Sequence, residues 1–100
     1  MNFDIDETIH APKRLAICSM LSSTSTVEFG VIRDELGVSD SVASKQLKVL
    51  VDAGYVKLES KVAKSSRRPR MWASLTPLGR VAFSEYVQKV QEIMTGGMSD

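Results

Sequence analysis

The chain of 100 residues contains one cysteine, one histidine and three prolines. No apolar run approaches the roughly 20 residues that a membrane span needs. Each shortage excludes something. Cys18 alone forms no internal disulfide, and its apolar neighbours point to inert core packing. His10 stands eight residues from Cys18, about 12 Å apart even on one continuous helix, which is too far to share a metal ion. No metal site and no cofactor are expected. There is no glycine-rich phosphate loop, and carboxylates cluster only at the start of the chain, so no enzyme is expected either. Asp34-Glu35 reads as a solvated helix face. The opening Met1-Asn2-Phe3-Asp4-Ile5-Asp6-Glu7 is acidic where a secretory signal would be basic and then apolar. The expectation is a soluble protein of the cytoplasm with no membrane partner.

What is present describes one small globular domain spanning 1–100. Hydrophobic residues make up 43% and charged residues 25%, with a net charge of +1. That charge is unevenly spread. Between Lys57 and Arg70 stand Lys57, Lys61, Lys64, Arg67, Arg68 and Arg70 against the single acid Glu59. The asymmetry marks a surface facing a polyanion.

Along the chain, Pro12 opens a first helix, since its missing N–H costs nothing in the first turn. Leu15, Ala16, Ile17, Cys18, Met20 and Leu21 give that helix a broad apolar face. Ser22 to Ser25 end it, and Thr26 to Phe29 read as a very short extended piece. A second helix runs over 29–36, with Phe29, Ile32 and Leu36 at helical spacing and Gly37 as a left-handed cap. Ser39 caps a third helix, with Asp40 in its first turn favoured by the helix dipole. Val42, Leu47, Leu50 and Val51 form its apolar side, and Ser41, Ser44, Lys45 and Lys48 its polar side. Asp52-Ala53-Gly54 stops it. The turn 37–39 between the two helices is the arrangement of a helix-turn-helix.

Tyr55 to Val62 then alternates, with Val56, Leu58 and Val62 on one side and Lys57, Glu59 and Lys61 on the other, as a strand with one wet face does. A basic loop over 63–69 leads into a return strand over 70–75. Thr76 and Pro77 read as cap and first residue of a long helix reaching Met94. The fold class is therefore mainly α with a small β-hairpin (α+β).

A reading helix in the major groove, about 12 Å wide, needs small or polar residues on its exposed N-terminal half. Ser39, Ser41, Ser44, Lys45 and Lys48 meet that need, and Lys64, Arg67, Arg68 and Arg70 on the hairpin suit phosphates or a narrow minor groove. Asp40 stands apart: a carboxylate beside DNA either accepts from a cytosine amino group or stays turned away.

Leu36 to Ser41, Ser44 to Leu50, Ala53 to Val56 and Leu75 to Arg80 together resemble winged helix-turn-helix transcription regulators, nearest to short members of the MarR-like family. The resemblance covers about Pro12 to Ile93. It implies a three-helix core plus wing over 12–75 and a C-terminal helix over 76–95 that serves dimerisation, with 1–11 as an N-terminal segment. It also implies a homodimer on a pseudo-palindromic double-stranded DNA site, with the third helix in the major groove and the wing in the flanking minor groove. The host would be prokaryotic, the protein associating with the nucleoid. Full-length MarR-like proteins carry extra helices for an effector pocket. This chain lacks that length, which argues against a small-molecule effector. The surplus of apolar residues on the last helix points to a second buried surface: Phe3, Ile5, Ile9, Tyr86, Val90, Ile93 and Met94 are expected to meet the partner copy. The competing expectation is a winged-helix protein-interaction module that sets its basic hairpin against an acidic partner.

Overall fold

The computed structural model describes residues 4–62 and 68–96. Its elements are α1 (Glu7–His10), α2 (Pro12–Ser22), β1 (Val27–Glu28), α3 (Phe29–Leu36), α4 (Asp40–Asp52), β2 (Val56–Val62), β3 (Pro69–Leu75) and α5 (Pro77–Met94). The α+β class expected from the sequence is the one found. A three-stranded antiparallel sheet in the order β1-β3-β2 lies against the helices. Val27 pairs with Ala73, and β2 pairs with β3 from Val56–Leu75 out to Val62–Pro69. The short extended piece thus becomes the third strand, closing one edge of the hairpin.

The helix termini follow their sequence signals. Ser39 accepts the Val42 amide at 3.2 Å, and Thr76 accepts the Gly79 amide at 2.9 Å. Gly37 and Gly54 take φ of 67° and 83° past the ends of α3 and α4, where a Cβ would be strained. One core unites the elements: Ile9, Ile17, Cys18, Leu21, Ile32, Leu47, Leu50, Val56, Ala73, Leu75 and Tyr86 are buried together.

The structure adds one element that the sequence does not announce and corrects three expectations. The segment before Pro12 carries α1, capped by the Asp6 carboxylate, which accepts the Ile9 amide at 3.2 Å. That turn drives Ile9 fully into the core. Pro69 is the first residue of β3 rather than part of the loop, a position where a missing N–H breaks no ladder. Val62 is 61% exposed although it shares a face with Val56 and Leu58, because the hairpin outruns the body that would cover it. On α4, Ala43 is buried and belongs to the apolar side, where its small side chain lets the helix lie close to the core.

The N-terminal segment is tied down by two tyrosines. Tyr55 Oη donates to Asp6 Oδ2 at 2.5 Å, and His10 Nδ1 and Tyr86 Oη share a hydrogen bond at 2.8 Å. The bond to Asp6, with burial second, pushes the Tyr55 hydroxyl up to about 12. Burial pushes the Cys18 thiol up to about 11, which keeps it a thiol and unreactive at neutral pH. No helix among the described residues is long and apolar enough to cross a membrane.

Candidate nucleic-acid interface

Ser39 sets the start of α4, and the 3.6-residue repeat then decides which side chains face out. Ala43, Leu47 and Leu50 are buried, whereas Ser41, Ser44, Lys45 and Lys48 are exposed in one stripe. The polar residues expected to read DNA therefore share a single accessible face. Its first half carries only small hydroxyls, so the helix backbone can approach a base edge closely.

Gln46 does not join that face. It is half-buried and accepts from Arg14 Nη1 at 2.9 Å, while Arg14 Nε also donates to the Thr8 carbonyl at 2.6 Å. Arg14 thus ties α4 to α2 and α1.

The charges around the stripe are not all bare. Lys48 Nζ lies 2.9 Å from Asp52 Oδ2, one turn further along α4. Both side chains are mostly exposed, and such pairs contribute only about 0.3–0.5 kcal/mol, so Asp52 holds Lys48 weakly. Lys45 makes no ion pair among the described residues. At the start of α4, Asp40 is turned toward Arg33, whose Nη1 lies 2.8 Å from Asp40 Oδ1 and whose Nε lies 3.0 Å from Asp34 Oδ1. These two carboxylates raise the pKa of the guanidinium. The sequence reading does not single out Arg33; its seven-residue separation from Asp40 spans a turn, and only the turn geometry brings the two together.

On the hairpin, Lys61 stands directly opposite Arg70. Like charges across a strand pair repel, and each has an acid beside it. Arg70 Nη1 lies 2.8 Å from Glu28 Oε2 on β1, and Lys61 Nζ lies 4.0 Å from Glu59 Oε1. Glu59 also lies 3.6 Å from Lys57. Arg68 is exposed at the end of the described hairpin. Lys64 and Arg67, also expected to bind DNA, lie outside the described residues.

The residues expected to meet a partner copy separate into two groups. Tyr86 is 6% exposed and Ile9 fully buried, so both are used by the chain's own core and offer a partner no surface. Ile5, Val90 and Ile93 are half-buried, and Met94 is 77% exposed at the end of α5. Phe3 lies outside the described residues. Leu78 and Val81, on the first turns of α5, are 56% and 55% exposed and are not part of the expected surface. They flank a groove of about 510 Å³ that Asp6, Tyr55 and Glu85 also line. Among the described residues no group of three or more His, Cys, Asp or Glu is placed to hold a metal ion.

Comparison with known proteins places this geometry. The chain is 28% identical over 80 residues to the uncharacterized protein MJ0432 of Methanocaldococcus jannaschii, covering 80% of this chain and 85% of that one. Its fold is similar to that of a transcriptional regulator homologue from Pyrococcus horikoshii OT3, with a TM-score of 0.84, 21% identity, and 94% and 91% of the two chains covered. It is also similar to a putative MarR-family transcriptional regulator from Enterococcus faecalis V583, with a TM-score of 0.75, 23% identity, and 91% and 80% covered. The winged helix DNA-binding domain family matches residues 13–94. By that match across four-fifths of its length, the chain belongs to the winged helix DNA-binding domain family.

Proposed function

We propose that the protein is a sequence-specific transcription regulator that binds double-stranded DNA as a homodimer. Helix α4 lies in the major groove, and the hairpin β2–β3 lies along the adjacent phosphates and minor groove. The observation that carries this reading is the single exposed stripe Ser41, Ser44, Lys45 and Lys48, beside a hairpin whose strands bring Lys61 and Arg70 together. Family membership supports DNA as the partner.

Roles divide by chemistry. Ser41, Ser44 and Lys45 meet base edges, where hydroxyls and ammonium groups donate to guanine and adenine acceptors. Lys48, Lys64, Arg67, Arg68 and Arg70 meet phosphates, which position the protein without reading sequence. Ser39 joins through its backbone at the helix start. A two-fold dimer built on Met94, Ile93, Val90 and Ile5 sets two α4 helices about 34 Å apart, one turn of DNA.

Titration of a labelled random-sequence duplex at two salt concentrations tests the reading. The expected result is binding whose affinity falls by orders of magnitude between about 50 and 200 mM salt. Retention of an acidic protein with no affinity for duplex DNA at low salt would favour an interaction module instead.

A further inference from the structure

Asp40 opens the helix proposed to read DNA, and its side chain is 71% exposed. As the first residue of α4 it suits the positive end of the helix dipole. Toward DNA the same carboxylate is a liability: it repels phosphates, and the base groups it can accept from are the cytosine and adenine amines. Left free among Ser39, Ser41 and Ser44, it would bias the interface or weaken it.

It is not left free. Arg33 lies in the last turn of α3, and the left-handed turn at Gly37 folds α4 back so that the guanidinium reaches Asp40. One fork of Arg33 takes Asp40 and its Nε takes Asp34. Both anions at this corner are therefore held by one permanently charged group.

We propose that Arg33 is a positioning residue of the DNA interface, holding the Asp40 carboxylate off base edges and phosphates so that Ser41, Ser44 and Lys45 enter the groove first. The proposal rests on the DNA-binding reading above. Arg33 acts through Asp40 and has no need to touch DNA itself.

A double-mutant cycle tests this. Wild type, Arg33→Gln, Asp40→Asn and the double variant are titrated against one duplex that wild type binds, at about 50 mM and about 300 mM salt. Arg33→Gln is expected to lose roughly three- to tenfold in affinity at the lower salt and less at the higher, as a screened charge does. Asp40→Asn is expected to lose none, and the double variant to recover to within about twofold of wild type. An Arg33→Gln variant that binds as wild type overturns the proposal. So does a double variant as weak as Arg33→Gln, which would mean that Arg33 touches DNA or only braces the turn. Where Arg33→Gln melts well below wild type, Asp40→Asn decides alone: a brace predicts that it binds weakly, and the proposal predicts that it does not. Failure of wild type to bind any duplex removes the DNA-binding reading itself, a result distinct from all of these.

Discussion

At Gly79 one hydrogen atom in place of a methyl group decides how closely the last helix meets the body. Thr76 donates its amide to the Tyr55 carbonyl at 3.0 Å and its hydroxyl to the Gly54 carbonyl at 2.6 Å, which pins the start of α5. A Cβ on residue 79 would run into that same Tyr55 carbonyl, which is backbone and cannot step aside. Gly79→Ala is expected to destabilise the fold by about 1–3 kcal/mol, in the range of overpacked sites. Urea unfolding measures it, and a midpoint equal to wild type would contradict the packing described. The tyrosine and thiol beneath α1 give the second prediction at this scale. Cys18 rises from 9.0 to about 11 and Tyr55 from 10.0 to about 12, so the folded chain holds these protons more tightly than the unfolded one. Their contribution is complete below pH 9 and is lost as pH rises through about 11 and 12. Stability measured from near pH 8 upward should therefore fall above pH 9, and Tyr55→Phe should make the upper part of that decline shallower.

At the scale of elements, the proposed function divides the labour of binding between the hairpin and α4, and substitutions on each should read differently. Arg67→Ala with Arg68→Ala is expected to weaken all duplexes alike and to lower the salt slope by about one for each phosphate no longer neutralised. Ser44→Ala or Lys45→Ala should instead shift the preference among sites, by about 1–3 kcal/mol at the base pair concerned. Binding assays over a panel of single-base variants distinguish the two, and uniform loss from all four changes would refute the assignment.

These elements are largely legible in the sequence, because each is written in local terms. Ser39 and Thr76 are caps, Gly37 and Gly54 stops, and Tyr55 to Leu58 an alternation. What is not legible depends on distant support. Val62 repeats the pattern of Val56 and Leu58, and nothing local says that the body ends before it. Helix α1 has only four residues, too few to show a period, and the tyrosines that tie it down, Tyr55 and Tyr86, stand far along the chain. For the same reason Ile9 and Tyr86, apolar and on favourable spacing, read as partner-facing when the chain itself buries them. The clasp of Arg33 on Asp40 needs the turn geometry, though the awkwardness of an aspartate at that position is visible in the sequence.

Across the whole molecule, a chain of this size exposes apolar surface that a second copy can cover. On α5, Met94 stands out at the C-terminal end, while Phe83, Val87 and Val90 are partly covered by the chain's own core. Ile93→Glu with Met94→Glu is expected to convert the proposed dimer into monomers in sedimentation. The variant should keep its helical circular dichroism, because neither residue is part of the core, and should bind a two-half-site duplex far more weakly than wild type. Wild type sedimenting only as a monomer would contradict the dimer.

The most direct test of the central claim is selection of bound sites from a randomised duplex pool, followed by sequencing. Two copies of α4 held by a two-fold axis predict enrichment of an inverted repeat whose half-site centres lie about one helical turn, 10–10.5 base pairs, apart. Binding with no enriched sequence would contradict sequence-specific regulation, and no binding at low salt would contradict DNA as the partner.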